Sequence, residues 1–230
     1  MRPLAGERSP MKNFYLVVPL ALAMTGCVDS APDIQLFNAF IPDASCAVNQ
    51  SGLASPGGSL DLATSGRYLA AFQVRNSLSA QEVVVGEAPV TGGGDESSIY
   101  VNNVELSYET QGTGPTLRSD VYPYYFNLPA NAKQSSSAVL DLLGANASAD
   151  LAAYYGGGGT APVNVVVRLK LTGKTVNGKS TESNEATYPV TFYNSGFTCP
   201  AGTQLEPTGP CGLPGGQDGF PPECTEPEET

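Results

Sequence analysis

Two segments of regular alternation near the C-terminal end constrain the fold of this 230-residue chain most strongly. In residues 163–172, apolar side chains occupy every second position, with only Val166 out of phase, and residues 186–193 repeat the two-residue period. Successive side chains of a β-strand point to opposite faces, so this period predicts two strands that each bury one face. Asn177-Gly178 between them favours a tight turn, which predicts a hairpin. Pro189 cannot donate a ladder hydrogen bond, so we expect an edge position or a bulge there.

Further short apolar segments, separated by glycine, proline, asparagine and serine, predict additional strands. The alternation changes phase once within residues 99–109, which indicates a β-bulge near Asn102-Asn103. One short helix is expected over residues 148–155, with Ser148 as its N-cap, Asp150 in its first turn and Gly156 ending it. The other predicted strands are residues 34–37, 60–63, 67–76, 121–128 and 137–143.

About eight strands and a single helical segment predict an all-β protein, a Greek-key β-sandwich of the immunoglobulin or fibronectin III kind. The 26 glycines and 19 prolines fit a turn-rich sandwich better than a helical bundle. The chain has no tryptophan, so the architecture is predicted and not membership of the immunoglobulin family. We expect the sandwich domain to span residues 34–197, followed by an irregular, acidic C-terminal tail over residues 198–230 that is rich in cysteine, proline and glycine.

The tail cannot build an apolar core, so disulfide bonds are expected to order it. It contains Cys199, Cys211 and Cys224, and Cys46 is the one remaining partner in the sandwich. Four cysteines allow three connectivities. We favour Cys46–Cys199 with Cys211–Cys224, because this choice ties the base of the tail to the sandwich and closes a small loop locally. A metal site in the tail is the weaker alternative, since the chain has no histidine.

The N-terminal segment has the composition of an export signal. Three basic residues precede an apolar run over residues 14–24, which is shorter than the roughly 20 residues that a membrane-spanning helix needs. Met11 followed by Lys12 is a more typical start than Met1. Thr25-Gly26-Cys27 resembles the lipobox of bacterial lipoproteins, in which the signal peptide is cleaved before a cysteine that carries diacylglycerol. The resemblance implies a signal peptide over residues 1–26, lipidation of Cys27 and a lipidated tether over residues 27–33.

Cysteine number fits this interpretation. Of five cysteines, a lipidated Cys27 leaves four, an even number suited to disulfides in an oxidising compartment. Several acyl chains such as palmitate hold a protein stably at a bilayer, whereas one chain binds reversibly. The lipobox resemblance, with Val28 and not aspartate after the cysteine, implies a lipid anchor in the outer membrane, on either its periplasmic or its surface face.

Composition excludes several classes of function. Histidine is absent, which removes histidine bases, histidine-activated nucleophiles and most zinc and copper sites. After Cys27 the chain carries 8 basic and 21 acidic residues, a net charge of −13, which repels nucleic acid. Residues 92–96 lack the alternating aspartates of a calcium loop. We therefore expect no cofactor, no metal and no enzymatic activity.

Two stretches extend the lipoprotein resemblance beyond the N-terminal segment. Residues 66–76 and 165–193, the latter including Tyr188-Pro189-Val190-Thr191-Phe192, resemble uncharacterised predicted lipoproteins of myxobacteria and relatives. The similarity covers most of residues 27–199 and implies no known activity.

Tyr122, Tyr124 and Tyr125 are the candidate ligand surface, because tyrosine rings can stack on sugars or peptides; the competing interpretation places them in the core and at strand edges. The leading hypothesis is a membrane-anchored envelope lipoprotein with a non-enzymatic structural or binding role, whose partner is another envelope protein or an extracellular polysaccharide. The alternatives are a carbohydrate-binding module that uses the tyrosines and a hydrolase that uses two carboxylates.

Overall fold

Strands dominate the computed structural model, which describes residues 31–80, 84–85, 88–89, 95–130 and 135–227. Cys27, the predicted lipidation site, lies outside these residues. The strands are β1 (Ile34–Phe40), β2 (Gly58–Asp61), β3 (Leu69–Asn76), β4 (Val84–Val85), β5 (Ala88–Pro89), β6 (Ile99–Gln111), β7 (Asp120–Leu128), β8 (Ser136–Asp141), β9 (Val163–Thr175), β10 (Ser180–Glu182), β11 (Ala186–Tyr193), β12 (Gln204–Leu205) and β13 (Cys224–Thr225). Between β8 and β9 lies the helix α1 (Ala145–Gly156).

Two main sheets form a sandwich. The small sheet has the strand order β1-β3-β8, and the large sheet has the order β2-β11-β9-β6-β7, with β10 also paired to β9. All pairs within these sheets are antiparallel except β2 with β11. The all-β sandwich predicted from the sequence is confirmed, and its Greek-key connectivity stays a prediction.

The alternating segments form the centre of the large sheet. On β9, Val163, Val165, Val167, Leu169 and Leu171 are buried, as their spacing predicts. The strand β11 pairs with β9 from Ala186 opposite Leu169 to Phe192 opposite Val163, without a register shift. The edge position expected at Pro189 is confirmed locally and no bulge is present, because β11 lies between β9 and β2 only from Val190 onward and has β9 alone beside it at Pro189. The ladder tolerates Pro189 at a boundary: β2 pairs with β11 only from Val190 onward.

The phase change in β6 is a bulge, as predicted. The register of β6 shifts between Val101 and Asn103 against both of its neighbours, β7 and β9. Gly173 of β9 lies opposite Val101, and a Cβ there would be 2.6 Å from the carbonyl oxygen of Tyr100. Glycine at this position therefore lets β9 approach β6 closely at the bulge.

The core fills the space between the two sheets and under the helix. Its largest fully buried side chains include Tyr68 and Phe72 of the β3 region, Leu140 of β8 and Phe192 of β11. Leu151 attaches α1 to this core. Burial of apolar surface contributes about 25 cal/mol per Å², so this cluster is the main source of stability.

The helix begins three residues before the predicted start, and Ser148 is not its cap. Its N-cap is Gly144, and Asp120 of β7 accepts hydrogen bonds from the backbone N–H groups of Asn146 and Ala147, at 3.1 and 3.2 Å. A carboxylate from another strand thus satisfies donors that the helix itself leaves free. The helix ends at Gly156, where the sequence predicts it.

The C-terminal tail packs against the sandwich and contains β12 and β13, which pair with each other. Near its middle, Gln217 forms an antiparallel bridge with Leu60 of β2, and the neighbouring N–H groups of Asp61 and Asp218 donate to Gly216 and Ser59 at 2.9 Å each. This short stretch covers the free edge of β2 in the large sheet.

Candidate functional site

The outer face of the large sheet presents exposed side chains that the core does not use. On β6 and β7, the positions between the buried ones point away from the sandwich, and three of them hold large exposed apolar side chains. These are Tyr100, Val121 and Tyr125. Exposed aromatic rings on a sheet face provide apolar contact area with a polar tip, which suits ligand binding.

A groove of 480 Å³ crosses this face at the bulge. Its lining spans β6, β9 and β10, and every side chain in it is polar. The lining residues are Asn102, Asn103, Thr172, Gly173, Lys174, Ser180, Thr181 and Glu182. Amides and hydroxyls both donate and accept hydrogen bonds, so the groove can bind a ligand that is rich in polar groups.

The strand register places both exposed tyrosines beside the groove. Tyr100 lies opposite Lys174 on one side and Asn127 on the other. Tyr125 is two residues before Asn127 on the same face of β7, next to the bulge. The exposed fractions are 54% for Tyr100 and 79% for Tyr125. Within the described residues, neither ring stacks on another aromatic ring and neither hydroxyl has a hydrogen-bond partner.

Charges on this outer face compensate one another. Arg168 of β9 pairs with Glu109 at 2.6 Å and with Glu185 at 3.2 Å. Hydrogen bonds to Arg168 and Gln111, with the charge of Arg168, lower the pKa of Glu109. Lys170 lies directly opposite Glu105 in the ladder, a favourable cross-strand arrangement. This part of an acidic chain therefore carries little net charge.

The predicted surface of three tyrosines is not one surface, because the strand splits it between two faces. Tyr122 points inward, and its hydroxyl accepts a hydrogen bond from the N–H of Asp141 at 3.1 Å and donates one to the carbonyl of the same residue at 3.0 Å. Tyr124 is half-buried, and its ring packs edge-on against that of Phe126 with the ring centroids 5.4 Å apart. Tyr122 thus covers the free edge of β8 at Asp141, and burial raises the pKa values of both Tyr122 and Tyr124. Tyr125 alone lies on the outer face.

The four tail and sandwich cysteines form disulfides, but the expected pairing is wrong. The bonds are Cys46–Cys211 and Cys199–Cys224. Pairing of β12 with β13 brings Cys199 close to Cys224. The N–H of Cys211 donates to the carbonyl oxygen of Asp43 at 2.8 Å, in the loop that holds Cys46. The tail therefore attaches to the sandwich through its middle and not through its base.

A buried polar cluster, for which the sequence pattern has no signal, joins the tail to the core. The Asp218 carboxylate accepts hydrogen bonds from the N–H of Ser59 at 2.7 Å and from the Tyr68 hydroxyl at 3.0 Å. The Tyr68 hydroxyl lies 3.1 Å from that of Tyr188. Burial raises the pKa of Asp218 and that of Tyr68. Because these groups satisfy one another inside the fold, their role is to hold the tail in place.

The described residues contain neither a metal-binding cluster nor a membrane-spanning helix. Among them, no group of three or more cysteine, aspartate or glutamate side chains could hold a metal ion. Asp95, at the end of the glycine run, accepts a hydrogen bond from the N–H of Ser97 at 2.9 Å. No helix in the described ranges has both the length and the apolar character needed to cross a membrane.

Comparisons with protein-family models, with curated proteins and with solved structures found no match to this chain. The outer face of the large sheet, with its polar groove and two exposed tyrosines, is therefore the candidate site on the strength of its own geometry.

Proposed function

We propose that this protein is a lipid-anchored, non-enzymatic binding protein of the bacterial outer membrane. The observation that carries the proposal is the use of the cysteines. Two disulfides consume Cys46, Cys199, Cys211 and Cys224, and this leaves Cys27 as the one cysteine of five without a cysteine to pair with. Disulfides are typical of exported proteins, and Cys27 directly follows the apolar N-terminal segment.

The binding role rests on the outer face of the large sheet. Its exposed rings and polar groove offer contacts that the fold itself does not need. A chain without histidine has few routes to general acid–base catalysis, which favours binding over chemistry. A lipid anchor would hold this face near the membrane, within reach of another envelope protein or an extracellular polymer.

The anchor is tested by the mass and location of the native protein. We expect intact-mass analysis of protein from membranes to find a chain that begins at Cys27 and carries acyl groups. Cys27→Ser should abolish the lipid and release the protein from the membrane fraction, whereas Val28→Ala should change neither. In an enteric host, Val28→Asp should move the protein to the inner membrane. An unmodified Cys27 thiol in the native protein would reject the proposal.

A further inference from the structure

We infer that the outer face of the large sheet binds a neutral polysaccharide, with Tyr100 and Tyr125 stacking on sugar rings beside the polar groove. The inference rests on the proposed binding function and assigns its ligand class. It follows from the placement of the two rings, the chemistry of the groove and the charge balance of the face.

The register arranges the site as rows that cross the strands. One row runs from Asn127 through Tyr100 and Lys174 to Ser180, and thus from β7 to β10. A neighbouring row includes Thr172 opposite both Asn103 and Glu182, with Tyr125 flanking the bulge. Neighbouring strands are about 4.8 Å apart, so four strands extend about 14 Å. This length accommodates a short run of linked sugars.

The two rings have the properties of stacking platforms. Tyr125 and Tyr100 are exposed, and both project from paired strands and not from a loop, so little conformational entropy is lost when a ligand binds. A sugar ring presents C–H groups on its faces and hydroxyls around its rim. The face of a tyrosine ring contacts the C–H groups, while its hydroxyl stays in water.

The groove supplies the hydrogen bonds that sugar hydroxyls require. Asn103 donates from Nδ2 to Oδ1 of Asn102 at 3.1 Å, which orients both amides and leaves further donors and acceptors for a ligand. Thr172 and Ser180 add hydroxyls along the same groove, whereas the hydroxyl of Thr181 already donates to the Asp33 carboxylate at 3.1 Å. A few fixed polar groups beside apolar contact area are typical of sites that bind small polar ligands.

Charge selects a neutral ligand. One base and one acid, Lys174 and Glu182, line the groove, and Arg168 is paired with two glutamates. A polyanion would need uncompensated positive charge, and the rest of this acidic chain would repel it. A protein partner would need an apolar interface centre, whereas the side chains of this groove are polar. A polymer of uncharged polyols matches both the charge balance of the face and the polar lining of its groove.

The test is depletion of full-length protein, in a polyoxyethylene detergent, by insoluble polysaccharides. The probes are the neutral glucans amorphous cellulose, curdlan and starch, with crosslinked alginate and chitosan as charged comparisons. We expect binding to at least one neutral glucan that is insensitive to salt. Tyr100→Ala and Tyr125→Ala should each weaken it about tenfold, and the double variant about 100-fold. Phe37→Ala is the matched control, since it removes an exposed aromatic ring from the small sheet.

Failure of this inference is distinguishable from failure of the proposed function. Binding to no neutral glucan, or binding that the tyrosine variants leave unchanged, overturns the inference. A photocrosslinker at Val121 then tests the outer face in intact cells, with the same group at Phe37 as the control. Crosslinking at Val121 to an envelope protein retains the binding function with a different ligand class. No crosslinking at either position removes the binding function as well.

Discussion

Single side chains complete the edges of the small sheet by acting as short substitutes for a strand. Each of three side chains bonds both the N–H and the carbonyl of one residue where the ladder stops, at distances between 2.7 and 3.1 Å. A primary amide suits this task because it holds a donor and an acceptor side by side, as a peptide group does. The pairs are Asn184 with Leu36, Gln217 with Leu69 and Tyr122 with Asp141.

Gln217 gives the sharpest test of this arrangement, because it is 1% exposed. Gln217→Glu keeps the shape but removes the donor to the carbonyl of Leu69 and introduces a buried charge. We expect the free energy of unfolding at neutral pH to fall by about 3 kcal/mol, because the carbonyl of Leu69 loses its donor and a carboxylate is buried beside it. Gln204→Glu, at an exposed position of β12, is the control and should change the stability little. Urea unfolding measures both; equal stabilities would contradict the strand-substitute role.

Local sequence patterns carry no signal for these contacts. Asn184 and Leu36 are 148 residues apart, as are Gln217 and Leu69, and both amides lie in segments without alternation. Tyr122 follows the inward phase of β7, so its burial is predictable from the spacing, whereas its bond to the edge of β8 depends on how the two sheets meet. The exposed pair Tyr100 and Tyr125 is likewise set by the register at the bulge.

Asp218 makes the stability depend on pH. Burial raises its folded-state pKa, so the folded protein binds more protons than the unfolded chain between the unfolded and folded pKa values. The contribution of this group is therefore greatest below the unfolded value and is lost as the pH rises through the folded one. Asparagine does not titrate, so the Asp218→Asn variant does not lose this contribution. Its stability relative to the wild type should therefore increase as the pH rises from 3 to 7. Urea midpoints across this range measure it, and parallel curves would contradict the prediction.

At the scale of elements, the strands are predictable and the helix start is not. Alternation within β9, β11 and β6 is a local property, and it also reveals the bulge. The cap of α1 comes from Asp120, a residue of β7, so Ser148 within the helix has the right side chain for a cap but the wrong position. The disulfide pairing could not be predicted for a similar reason: β12 and β13, which bring Cys199 and Cys224 together, are too short to show alternation in the sequence.

The cap of α1 is tested by a pair of alanine substitutions. Asp120→Ala removes the acceptor for the N–H groups of Asn146 and Ala147, and we expect the free energy of unfolding to fall by about 1–2 kcal/mol. Ser148→Ala tests the cap that the sequence favours and should cost about 0.5 kcal/mol or less, because alanine is the better helix former. Denaturant unfolding of the two variants ranks them. A larger loss for Ser148→Ala would contradict the role of Asp120.

For the whole molecule, the tail is a third component of the sandwich. Its segment around Gln217 pairs with β2 of the large sheet and bonds Leu69 of the small one, so it links both layers. The disulfide Cys46–Cys211 closes a loop of 165 residues around this contact. Long loops lose the most conformational freedom on closure, so the chain-entropy account assigns this bond about 5 kcal/mol. An acidic, proline-rich segment thus gains its order from the sandwich that it closes.

Removal of the tail should therefore damage the domain and not merely shorten it. A chain that ends at Phe197, with Cys46→Ser to avoid a free thiol, loses the cover of β2 and the partners of Leu69 and Tyr68. An open edge strand beside unsatisfied buried groups favours association between chains. We expect this variant to form oligomers in size-exclusion chromatography and to melt at a lower temperature. A chain that ends at Thr225 keeps β13 and both disulfides and should match the full-length protein. A monomeric chain that ends at Phe197 and has an unchanged melting temperature would show that the sandwich closes without its tail.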